Sequence, residues 1–129
     1  QDTNVFISAV VFGGAPYQIL DAWRQGKLRL VVSPEILEEY RRVGKELSER
    51  YDGVSLQPML ELLTIHAELA ESPALKAPVC VDPDDDKFIA CALASGAKVI
   101  TSGDKHLLAV TGYHGITILP PRAFIEQYL

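Results

Sequence analysis

Short apolar runs alternate along the chain with longer stretches that have a helical period. The apolar runs are Val5–Ile7, Leu28–Val32, Lys98–Thr101 and Ile116–Leu119, with Val79–Val81 as a further strand end. Alternation of this kind is typical of an α/β fold, in which helices connect the strands of a parallel sheet.

The helix boundaries carry local signals. Ser33-Pro34 provides an N-cap and a first-turn proline for a helix that reaches about Arg50. Gly26 ends one predicted helix and Gly96 another. The other predicted helices are Tyr17–Gln25, Leu56–Ala70, the segment from the acidic run to Ser95, and Arg122–Leu129. Asp84 or Asp85 is expected to cap the helix that ends at Ser95.

Composition narrows the class of protein. With 129 residues, 48% of them hydrophobic and 22% charged, the chain has the size of one globular domain. It contains no apolar run of bilayer length and no signal-peptide pattern, and Cys80 and Cys91 have no metal-ligand spacing. We therefore expect a cytoplasmic protein with reduced thiols. The net charge of −5 argues against binding of nucleic acid by bulk electrostatics.

Helical phase separates acids that face inward from acids that face solvent. On the helix after Pro34, Glu38 points away from the apolar stripe, whereas Glu39 lies at its border. Asp86 shares its face with Ile89 and other apolar residues, so it is predicted to point inward. An inward carboxylate is costly unless it is paired, hydrogen-bonded or bound to a metal.

Three acids follow predicted strands, at the edge where parallel sheets bind ligands: Asp82, Asp86 and Asp104. Helix capping and turn formation explain each acid equally well when it is taken singly. Taken together, carboxylates without supporting His or Cys ligands favour a site for Mg²⁺ or Mn²⁺. Such ions activate water and stabilise the leaving oxygen in phosphodiester cleavage.

Four segments in this order resemble the PIN domain, and in particular its VapC-type ribonuclease toxins: Asp2-Thr3-Asn4-Val5, Glu39-Tyr40, Asp82-Pro83-Asp84-Asp85-Asp86 and Ser102-Gly103-Asp104-Lys105-His106-Leu107-Leu108. The segment 115–124 is similar as well. The likeness spans nearly the whole chain, which implies a single domain over residues 1–129. It implies a three-layer α/β/α fold with a central, mainly parallel sheet.

The resemblance assigns the metal-binding and catalytic acids to Asp2, Glu39, Asp86 and Asp104. Asn4 and Ser102 match polar positions that orient the carboxylates or the metal-bound water. It further implies Mg²⁺ or Mn²⁺ as cofactor, RNA as substrate, a cognate antitoxin as partner, and a homodimer or higher homo-oligomer in many members.

One departure concerns the start of the chain. PIN domains usually begin with a strand that leads into Asp-Thr-Asn, but only Gln1 precedes Asp2 here. The first strand is therefore expected to be missing or truncated. The leading hypothesis is a metal-dependent endoribonuclease of the toxin type. Two alternatives stay open: a scaffold that binds RNA or an antitoxin peptide without useful catalysis, and another Mg²⁺-dependent nuclease or phosphatase.

Overall fold

The computed structural model describes residues 5–7, 15–51, 53 and 57–129. In these residues, helices and short strands alternate. The α-helices are α1 (Ala15–Arg24), α2 (Pro34–Arg50), α3 (Gln57–His66), α4 (Asp86–Ser95), α5 (Lys105–Leu108) and α6 (Pro121–Tyr128). The strands are β1 (Val5–Ile7), β2 (Val31–Val32), β3 (Glu68–Leu69), β4 (Val99–Thr101) and β5 (Thr117–Leu119).

All of these strands pair in parallel. One sheet has the order β1-β4-β5, with Phe6 opposite Ile100 and Ile100 opposite Ile118. The other sheet pairs β2 with β3, and β2 also lies next to β1. Parallel strands and intervening helices confirm the predicted α/β class. The strands form two small sheets that lie side by side, where the sequence predicted one central sheet.

The core lies between the strands and the helices that pack on them. Strand β4 is completely buried, and α4 contributes the buried side chains of Phe88, Ile89 and Ala92. Helix α4 contacts β2, β4 and α2, and α1 packs against α6. Contact between α2 and α4 places their first halves side by side, which brings acids from two distant parts of the sequence to one region.

The local boundary signals are confirmed. Ser33 Oγ accepts a hydrogen bond from Ile36 N at 3.2 Å, and Pro34 opens α2. Gly96 ends α4 with φ +76°, in the left-handed region where a residue without Cβ is favoured. Strand β1 occupies the first apolar run, but the segment that precedes it lies outside the described residues.

Two predicted elements are wrong. The helix predicted over Leu56–Ala70 ends at His66, because Glu68 N and Ala70 N donate to Leu30 O and Val32 O to form β3. The predicted strand end at Val79–Val81 is irregular. Its backbone N–H groups at Val79 and Cys80 donate to the Asp86 carboxylate instead of to a neighbouring strand.

None of the helices in the described ranges combines the length and the apolar composition that crossing a membrane requires.

Candidate functional site

The acidic run before α4 does not fold as a simple helix start. Pro83–Asp85 form a 3₁₀ turn, which Asp82 caps by accepting a hydrogen bond from Asp84 N at 3.0 Å. Helix α4 then begins at Asp86. Asp85 occupies the position before that helix, but its side chain makes no capping hydrogen bond. The expectation that Asp84 or Asp85 caps this helix is therefore wrong; Asp82 provides the cap of the preceding turn, and Asp84 is exposed.

Asp85 is the least satisfied carboxylate in the described part of the chain. Its Oδ2 atom is buried and has no hydrogen-bond partner there. Burial, as the largest cause, and the negative charges of Asp104, Asp82 and Glu39, in that order of size, together raise the pKa of Asp85 to about 6. A smaller opposing effect comes from His106. A carboxylate in these surroundings is stabilised by a cation.

The charges that act on Asp85 come from three separate elements. Asp82 lies on the 3₁₀ turn, Glu39 on α2, and Asp104 directly beyond the carboxyl end of β4. The fold thus collects acids at the edge of the parallel sheet where ligands bind. The structure brings Glu39, Asp82 and Asp104 to the region around Asp85, an acid that the sequence did not single out for the site.

Asp86 has a structural role in this arrangement. Its Oδ1 accepts from Cys80 N at 2.8 Å, and its Oδ2 accepts from Val79 N at 3.3 Å. The half-buried carboxylate therefore fixes the segment that leads into the acidic turn. The sequence indicates no such partner for Asp86, and with these hydrogen bonds its inward direction does not by itself require a metal.

Glu39 and Glu38 behave as helical phase predicts. The side chain of Glu38 is 77% exposed and, in the part of the chain that the structure describes, pairs only with Arg41 on its own helix. The side chain of Glu39 is 23% exposed and contacts Lys87 Nζ at 2.5 Å from the start of α4. Arg42 lies 3.9 Å from the same Oε1 atom.

Asp104 is held by its neighbours. Its backbone N–H donates to Ser102 Oγ at 3.0 Å, and its Oδ1 accepts from His106 N at 2.7 Å, which caps the short helix α5. Ser102 is completely buried, so it is a rigid support for Asp104. The contact is to the backbone of Asp104 and not to its carboxylate, so the orienting role that the resemblance implies for Ser102 stays a prediction.

The predicted members Asp2 and Asn4 lie outside the described residues. Within the described ranges, no three His, Cys, Asp or Glu side chains are arranged to hold one ion together. Thiolate chemistry is unfavourable at both cysteines, because burial raises the pKa of Cys80 to about 12 and that of Cys91 to about 11.

A family model described as the PIN domain matches residues 1–106 of the chain. The matched segment contains all of the acids discussed above. The chain belongs to the PIN domain family. An uncharacterized protein of Methanocaldococcus jannaschii is 34% identical to this PIN domain, over 98% of the present chain and 88% of its relative. No solved structure matches the chain.

PIN domains have a nuclease-type fold and generally depend on divalent metals. Carboxylate oxygens are the ligands that Mg²⁺ and Mn²⁺ prefer. The buried Asp85 Oδ2 atom, without a partner among the described residues, provides one oxygen that a cation would satisfy. The residues therefore fit the expected ion in chemistry.

The acidic run could have been interpreted correctly from sequence. Asp82-Pro83 is itself a helix-start signal, since Asp is a preferred cap and Pro a preferred first residue. Counting from Asp82 places Asp85 and Asp86 on different sides of the turn. The inward direction of Asp86 follows from α4, which winds at about 100° per residue, whereas Asp85 lies in the 3₁₀ turn, which winds at about 120°.

Proposed function

We propose that this PIN domain is a divalent-metal-dependent endoribonuclease that hydrolyses phosphodiester bonds of RNA in the cytoplasm. The observation that supports it most directly is the buried carboxylate oxygen of Asp85, which has no hydrogen-bond partner among the described residues and is surrounded by other acids. In a protein of net charge −5, such a cluster binds an RNA phosphate only if a cation reverses the local field.

The proposed ligands are Asp85 and Asp104, with Asp82 and Glu39 beside them and Asp2 as the member implied by resemblance. Asp86 keeps its place in the proposal, because a carboxylate that accepts from backbone N–H groups still has lone pairs to offer. A bound Mg²⁺ or Mn²⁺ would activate water and stabilise charge on the phosphate and the leaving oxygen. Ser102 orients Asp104 through its backbone, and His106 lies near enough to Asp85 to affect its charge.

A catalytically weak scaffold is the second candidate. The observation that favours it is the state of two proposed ligands: Glu39 is neutralised by Lys87, and both Asp86 oxygens accept backbone hydrogen bonds. Such a protein would bind RNA or an antitoxin peptide without binding Mn²⁺ readily.

Two measurements test the proposal. In the first, purified protein is incubated with single-stranded RNA, single-stranded DNA and a generic phosphate ester, each with Mn²⁺ and with a chelator. We expect RNA cleavage that requires the metal. Cleavage of DNA alone would indicate a DNA nuclease in place of a ribonuclease. Cleavage of the ester alone would indicate a phosphatase. No cleavage and no calorimetric Mn²⁺ binding would favour the scaffold.

The second measurement compares the cleavage rates of three variants, each with one acid replaced by its amide. Asp85→Asn and Asp104→Asn should each lower the cleavage rate by on the order of a hundredfold or more. Asp84→Asn is the matched control, because Asp84 is exposed and should leave the rate unchanged. An equal loss of rate in all three variants would show that these acids contribute only general negative charge.

The toxin assignment rests on the resemblance to VapC-type proteins. If it is correct, expression of the wild-type chain should arrest bacterial growth, and expression of Asp85→Asn should not. Co-expression of a cognate antitoxin should restore growth. Growth arrest by both forms would place the toxicity outside the proposed active site.

A further inference from the structure

Lys87 lies in the first turn of α4 and forms an ion pair with Glu39 of α2. Its Nζ lies 2.5 Å from Glu39 Oε1, although 48 positions separate the two residues in sequence. The pair is largely shielded from water, with side-chain exposures of 21% for Lys87 and 23% for Glu39. Surface pairs contribute little because solvent screens them, whereas screening is weaker for a pair of this burial.

Glu39 has no comparable alternative partner among the described residues. Arg42 approaches the same oxygen only to 3.9 Å, is 60% exposed, and is equally far from Glu46. In the described part of the chain, Lys87 in turn makes no other ion pair. The ammonium group therefore neutralises the one acid that α2 contributes to the cluster around Asp85.

The location of the pair gives it a consequence for metal binding. A cleft of about 420 Å³ opens beside it, lined by Pro34, Glu35, Glu38, Glu39, Arg42 and Lys87. Glu39 is also near enough to Asp85 to raise the pKa of that carboxyl. A divalent cation that approaches Glu39 from the acids around Asp85 meets the positive charge of Lys87, which is paired with the Glu39 carboxylate.

We propose that Lys87 is a built-in counter-ion for Glu39, which a divalent cation must displace before Glu39 can join the metal site. This inference rests on the proposed function, since it concerns the same ion. It assigns Lys87 the role of a positioning residue that lowers metal affinity. It holds Glu39 in place while the site contains no cation.

Calorimetric titration with Mn²⁺ alone measures this competition. Lys87→Met removes the charge and should tighten Mn²⁺ binding by about tenfold, the order expected for a unit charge about 6 Å from a divalent ion at a dielectric close to that of water. Lys87→Arg keeps the charge and should not tighten binding. Lys98→Met is the matched control, because Lys98 is exposed before β4, at the opposite end of that strand from Asp104.

The outcomes separate this inference from the proposed function. If the wild type binds Mn²⁺ and Lys87→Met binds with equal or lower affinity, the counter-ion role is wrong and the metal site stands. If Lys87→Met binds and the wild type does not, the lysine blocks the site, which supports the inference and contradicts the proposed activity of the native chain. If neither binds, both are wrong.

A measurement on the wild type covers the case in which Lys87→Met does not fold. Acylation of lysine amines by acetic anhydride, followed by mass spectrometry, reports which ammonium groups are accessible. Saturating Mn²⁺ should increase modification of Lys87 and leave that of Lys98 unchanged. Unchanged or reduced modification of Lys87 would show that the metal does not displace it.

Discussion

Replacement of Asp85 by Asn should stabilise the metal-free protein at neutral and alkaline pH. Burial and the neighbouring acids raise the pKa of Asp85 from 3.8 to about 6. The folded state therefore binds the proton more tightly than the unfolded state does. Stability linked to this group is fully present below about pH 4 and is lost as the pH rises through about 6. Above that range the wild type carries the whole cost of an ionised Asp85.

The size of the stabilisation follows from the shift in the pKa of Asp85. A change from 3.8 to about 6 corresponds to at most about 3 kcal/mol, at 1.36 kcal/mol per pKa unit. Asp85 is half-buried, so solvent screens part of this energy. We expect Asp85→Asn to raise the free energy of unfolding by about 1–2 kcal/mol at about pH 8, and by close to zero at about pH 4.

Urea denaturation at both pH values, with a chelator present, measures this difference. Asp84→Asn is the control, and its effect should be small and independent of pH because Asp84 is exposed. Mn²⁺ should then reverse the order of stability. At 100 times its dissociation constant it stabilises a binding protein by about 2.7 kcal/mol, and Asp85→Asn should gain far less. A destabilised Asp85→Asn at about pH 8, or a gain of equal size at about pH 4, would refute the reasoning.

Three further substitutions test the supports of the site by urea denaturation of the metal-free protein. Asp86→Asn should cost about 1–2 kcal/mol, because the amide nitrogen cannot accept the second of two backbone N–H groups; wild-type stability would show that these bonds contribute nothing. Ser33→Ala should cost about 1 kcal/mol through loss of the α2 cap, and Ser33→Asp should restore most of it. Gly96→Ala should cost about 1 kcal/mol through backbone strain at φ +76°. A steric clash is not the cause, because a Cβ at this position meets only open space. A neutral effect would contradict strain as the cause.

The sequence predicted those parts of the fold that depend on neighbouring residues. The cap at Ser33-Pro34 and the glycine at the end of α4 act within one turn, so their effect is the same in a peptide and in the folded chain. The buried strand β4 was predictable for a related reason. A short apolar run between turn residues is stable mainly when both of its faces are covered.

Two errors in the prediction have a common cause. Helical propensity favoured continuation of α3 through Ala70, but pairing with β2 ended that helix. Arg29 and Glu68 further join the two strands by an ion pair across 39 positions. At Val79–Val81, the apolar pattern suggested a strand, but the Asp86 carboxylate binds the N–H groups that a strand would use. In both places a partner distant in sequence changed the outcome.

The candidate site divides in the same way. The sequence by itself determined that Asp104 follows a buried strand and that Glu39, rather than Glu38, faces inward, because both conclusions depend only on periodicity. Only the tertiary structure decided what each acid contacts. Asp86 binds backbone, Glu39 binds Lys87, and Asp85 keeps one buried oxygen without a partner among the described residues. Charge and burial at a carboxylate depend on groups from three separate elements, and their positions are fixed only when the elements pack.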